Sequence, residues 1–179
     1  MKQLFFISLL LSCFSCSSLH NLAEEDRVSM RQQSAVQGGK PLSSLLIVGT
    51  GDVVTRQFID GTMESLQHRL WGEQVPTSYF FIPNSDFSEA TVIEKMKKSG
   101  AEKYKYLLLV TQASGSQLSG TQPLMILDLN IKLFEKDVEE PLWSSLVNLS
   151  GRVYKNDVYT QASSLIFLHF KANNFLAKR

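Results

Sequence analysis

Cysteine is scarce in this chain of 179 residues: it has two, Cys13 and Cys16, and both lie close to the amino terminus. The rest of the sequence therefore offers no disulfide and no cysteine-ligated metal site. The three histidines, His20, His68 and His169, have no second histidine at ligand spacing. We therefore predict that the protein binds no metal ion and no cofactor.

An excess of charge of one sign is also missing. The chain has 18 lysine and arginine residues against 17 aspartate and glutamate residues, and loss of Lys2 with the amino-terminal segment would leave 17 of each. A neutral chain has no basic surface to attract nucleic acid, so we predict no nucleic-acid partner.

Apolar runs long enough to cross a bilayer as a helix are absent, and the amino-terminal run is itself short. A small positive start precedes an almost purely apolar stretch from Leu4 to Leu11, and small polar residues follow. This pattern is typical of a secretory signal. We therefore predict a signal at residues 1–15, cleaved before Cys13 or Cys16.

The residues before the two cysteines resemble the lipobox of bacterial lipoproteins, in which a cysteine is acylated and becomes the first residue. Cys13 follows Leu10-Leu11-Ser12, the better match in residue types, whereas Cys16 leaves a signal of more usual length. Both remain candidates. The resemblance implies acylation, for example by palmitate, and a protein held at a membrane by its lipid, expected at the outer membrane and facing the periplasm.

Composition divides the remaining chain into two parts. Residues 17–40 are polar, with few large apolar side chains, so we predict a tether. Residues 41–179 contain the regular apolar patterns and are predicted to form one globular domain.

Three apolar runs predict buried strands at 44–48, 78–82 and 106–110. Spacing of three and four predicts an amphipathic helix between the first two, with Asp52 at its start and Gly72 at its end. Its predicted inner face comprises Val54, Phe58, Ile59, Met63, Leu66 and Leu70. A second helix is predicted from Asp86 to Gly100.

The second half follows a different pattern. Residues 113–121 are rich in Gly, Ser and Gln and are predicted to form a loop. Alternation at 127–133 and 143–151 predicts an antiparallel hairpin, and a last helix follows from Asp157. We therefore predict the α/β class, at its border with α+β, as a single mixed sheet of about five strands with about three packed helices.

The layout resembles small bacterial envelope lipoproteins, namely the periplasmic domain of the curli-secretion channel lipoprotein and the amino-terminal domain of TolB. The residues that carry the resemblance are Asp60 to Leu66, Ser99-Gly100-Ala101, the strand Tyr106 to Val110, and Leu142-Trp143-Ser144. It covers roughly residues 41 to 176. It implies an envelope protein that binds or assembles with others, and it carries over no catalytic residue.

Two groups of residues are candidates for function. Gly49, Thr50, Gly51 and Asp52 follow a strand and precede a helix, where a ligand loop would lie, although a tight turn with a helix cap explains them equally. Trp143, Phe167 and Phe170 are candidates for a protein interface, or for the core.

We expect a lipid-anchored envelope protein without catalysis and with a protein partner. The alternatives are a hydrolase or nucleotide-binding enzyme with its site at 49–52, and a small-molecule carrier with a pocket between the sheet and the last helix.

Overall fold

The computed structural model of the chain describes residues 27–35, 39–83, 103–118, 124–152 and 156–177, and in addition residues 88, 91 and 94. The predicted signal and both cysteines lie outside these residues. The predicted helix at 86–100 also lies mostly outside them, with Thr91 and Glu94 helical.

The elements in chain order are β1 Arg27–Ala35, β2 Leu45–Gly51, α1 Val53–Gly72, β3 Thr77–Pro83, β4 Tyr106–Leu118, β5 Leu124–Glu135, β6 Trp143–Arg152 and α2 Asn156–Ala172. The six strands form one mixed sheet at the centre of the fold, with spatial order β1-β6-β5-β4-β2-β3. β2 pairs in parallel with β3 and β4, and the other pairs are antiparallel. The predicted α/β class and mixed sheet are confirmed. The predicted numbers of strands and helices are wrong. The sheet has six strands rather than about five, and the described residues contain two long helices, α1 and α2, rather than about three.

β1 corrects the prediction of a polar tether at 17–40. Arg27–Ala35 pairs along its length with β6 and forms one outer strand of the sheet, with a bulge between Gln32 and Ser34. Val28 and Met30 pack against the core from its inner face. An outer strand lies at the margin of the core and buries few side chains, and composition alone therefore hid it.

β4 is longer than predicted. It continues through the segment predicted to be a loop at 113–121 as far as Leu118, with a bulge between Gln112 and Ser114. Antiparallel pairing with β5 satisfies the backbone there, so the Gly- and Ser-rich sequence still forms a strand.

Both helices cover the same face of the sheet and enclose the main core. Trp143, Phe170 and Phe175 are fully buried there. The ring centroid of Phe170 lies 5.4 Å from that of Trp143 and 5.9 Å from that of Phe175. Burying aromatic side chains of this size in edge-to-face contact is a large contribution to stability, about 0.5–1.5 kcal/mol per pair beyond the buried area.

A smaller cluster lies on the opposite face of the sheet. Leu46, Val48, Leu109 and Phe134 are buried in it, and Ile82 and Tyr104 pack against them. β2 is therefore apolar on both faces, as expected for a central parallel strand.

The two helices run parallel and pack closely. Gly61 of α1 faces the ring of Tyr159, and the hydroxyls of Ser65 and Ser163 are 2.8 Å apart. Near the helix ends, Lys171 Nζ lies 3.2 Å from Glu73 Oε1. The predicted inner face of α1 is buried except at Val54, which is 51% exposed because it lies in the first turn.

Candidate functional site

The predicted ligand loop lies at the carboxyl end of β2, beside the middle of β4, where Thr50 pairs with Thr111. The chain moves from β2 to its neighbour β3 on one side and then to β4 on the other side. In an open α/β sheet, ligands bind in the crevice outside such a reversal of strand order. This crevice is therefore the first place to look for a site.

Asp52 caps the helix that begins at the crevice, as predicted. Its Oδ1 accepts a hydrogen bond from the Thr55 backbone N–H at 2.7 Å, and α1 starts directly after it. A capping carboxylate stabilises a helix by about 0.5–2 kcal/mol relative to alanine.

Gln112 spans the crevice from β4 and was not identified from the sequence. Its Nε2 donates to Asp52 Oδ2 at 3.1 Å, and its Oε1 accepts from the Asp52 backbone N–H at 3.1 Å and from the Thr55 hydroxyl at 3.0 Å. The amide therefore uses both its donor and its acceptor on the helix start. Its sequence signal was weak, since Gln112 is sixty residues from Asp52 and pairs with it only through the strand order.

Gly49 and Gly51 are required by close packing of α1 against β2. A side chain at Gly49 would lie 2.6 Å from Ile59 Cγ2 and 3.1 Å from the Tyr79 hydroxyl. A side chain at Gly51 would lie 2.6 Å from Thr55 Oγ1. These glycines thus allow the helix to approach the strand.

Thr50 points away from the helix start. It is buried on the opposite face of the sheet, at 5% exposure, and its hydroxyl has no hydrogen-bond partner within the described part of the chain. The four residues of the predicted loop therefore do not converge on one point, and this finding opposes their role as a ligand loop.

The electrostatics at Asp52 also disfavour an anionic ligand. Partial burial alone would raise the pKa of Asp52, but hydrogen bonds from Thr55 and Gln112 outweigh it and hold the pKa below its ordinary value of 3.8. The carboxylate is therefore charged at neutral pH and would repel a phosphate placed at the helix start.

The predicted interface residues belong mainly to the core. Trp143 and Phe170 are fully buried, which corrects their candidacy as surface anchors, because the sheet and α2 enclose them. Phe167 is partly buried against the core, and Lys171 Nζ lies 4.8 Å from its ring centroid. Of these three residues, Phe167 alone retains some exposed surface.

A second concave surface was not predicted. An open groove of about 640 Å³ lies between α1 and α2, with Arg56, Asp60, His68 and Tyr159 among its lining residues. Arg56 Nε donates to Asp60 Oδ2 at 3.2 Å, and the Tyr79 hydroxyl donates to Asp60 Oδ1. Burial and the hydrogen bond to Asp60 raise the pKa of Tyr79, so the phenol stays protonated. Arg56 and Asp60 in the groove thus form an ion pair.

The histidines lie apart. The rings of His68 and Trp71 meet edge to face, with their centroids 5.1 Å apart, and the ring centroids of His169 and Trp143 are 6.2 Å apart. Across the described ranges, no three His, Cys, Asp or Glu side chains are grouped so that they could hold a metal ion. His20 lies outside these ranges.

Comparison of this chain with known proteins shows a similarity of fold. No protein-family model matches the sequence, and no curated protein matches it significantly. Among solved structures, the chain is similar to the PelC dodecamer from Paraburkholderia phytofirmans, with a TM-score of 0.52, 12% identity, and coverage of 86% of this chain and 100% of that one. A single-residue variant of that protein in another crystal form gives a TM-score of 0.50 and 10% identity, over 77% of this chain and 95% of that one. At such identities the likeness shows the fold.

None of the helices that the structure describes is both long enough and apolar enough to cross a bilayer.

Proposed function

We propose that this protein is a lipid-anchored protein of the bacterial envelope with a non-catalytic role, which binds or assembles with other envelope proteins. Acylation of Cys13 or Cys16, after removal of the signal, would attach it to the outer membrane facing the periplasm. This part of the proposal rests on the amino-terminal sequence.

The non-catalytic part rests on one observation, the hydrogen bonds that span the crevice between the end of β2 and the middle of β4. The Gln112 side chain bonds across it to Asp52 and Thr55, and Gly49 and Gly51 bring α1 against the strand. A ligand at this point would have to break three hydrogen bonds and displace a charged carboxylate. The usual site of an α/β sheet is therefore used here for stability.

The likeness in fold to PelC supports assembly. That protein is described as a dodecamer. We carry over the idea of assembly and not the number of subunits, because the identity is 12%.

Two masses test the proposal on protein extracted from its native membrane in mild detergent. The intact mass of the single chain is expected to correspond to a polypeptide that begins at Cys13 or Cys16 and carries fatty acyl groups. The native mass after mild cross-linking is expected to exceed that of one chain. A variant with both cysteines changed to serine is the control, and it should lose the acyl mass and the membrane association.

The opposite results would refute the proposal. A chain that still begins at Met1, has no acyl mass and stays in the soluble fraction would exclude the anchor. A monomer that captures no envelope protein and shows saturable nucleotide binding or turns over a hydrolase substrate would exclude the non-catalytic role.

A further inference from the structure

We draw no further inference here: the strongest candidate, the open groove between α1 and α2, is lined by Arg56 and Asp60, which already pair with each other, and by exposed surface side chains such as Glu64 and His68, and nothing in the described part of the chain shows what would occupy it.

Discussion

Gly61 lies within α1 where the two helices pack, and its replacement by alanine tests how closely they approach. A Cβ at this position would lie 2.6 Å from Tyr159 Cδ2, 2.9 Å from Cε2 and 3.0 Å from Cγ. The Tyr159 ring is itself held against Phe58, with ring centroids 5.3 Å apart, and is 9% exposed. The ring therefore has little freedom to move aside.

Two opposing effects set the magnitude. Alanine is better than glycine inside a helix by about 1 kcal/mol. Overpacking a tight contact costs about 1–3 kcal/mol. We therefore expect Gly61→Ala to lower the free energy of unfolding by up to about 2 kcal/mol, measured by urea denaturation of the domain. For a chain of this size each kcal/mol corresponds to a change in Tm of about 2–4 °C.

Gly72→Ala is the matched control in the same helix. A Cβ at Gly72 would meet nothing within 4 Å, so this change should leave stability unchanged or raise it by up to about 1 kcal/mol. On a Tyr159→Ala background the clash is gone, and Gly61→Ala should then be stabilising. If Gly61→Ala stabilises the wild-type protein as much as Gly72→Ala does, the helices do not pack as closely as described.

Three further predictions concern the crevice and the core. Gly51→Ala should lower the free energy of unfolding, measured by urea denaturation, by about 1–3 kcal/mol, because its Cβ would lie 2.6 Å from Thr55 Oγ1. Unchanged stability together with loss of ligand binding would instead favour residues 49–52 as a ligand loop. Asp52→Ala should cost about 0.5–2 kcal/mol at neutral pH. Because hydrogen bonds lower the pKa of Asp52, its contribution to the free energy of unfolding is present above its ordinary pKa of 3.8 and is lost as the pH falls through the lower folded-state pKa. The difference in free energy of unfolding between wild type and variant, measured in urea, should therefore disappear in acid. A difference independent of pH would contradict this. Trp143→Ala should cost about 3–5 kcal/mol by thermal unfolding, whereas a folded, equally stable variant with an altered native mass would restore Trp143 as an interface residue.

The sequence predicted well those elements whose signals are local. Asp52 caps α1 and accepts from the Thr55 N–H, and the alternating residues of 127–133 and 143–151 form the hairpin of β5 and β6. Both features depend on residues that are adjacent or regularly spaced, so periodicity and capping preferences suffice to find them. The parallel pairing of β2 with β3 and β4 also agrees with the predicted mixed sheet.

Features that depend on distant parts of the chain could not be read in this way. Tyr159 of the last helix is buried because Gly61, ninety-eight residues earlier, leaves room for its ring. Gln112 directly precedes the segment predicted to be a loop at 113–121, and its role is defined only once β4 lies beside β2. Both contacts join residues that the strand order brings together, and no local pattern encodes them.

The two outer strands constrain how the proposed assembly can form. An outer strand invites addition of a strand from another chain unless charge, proline or a bulge prevents it. β1 carries Arg31 and the bulge between Gln32 and Ser34, and β3 ends at Pro83. Each outer strand therefore has a feature that opposes continuous pairing across molecules. Assembly through side-chain surfaces of the domain, with the sheets kept separate, is the arrangement that this sequence favours.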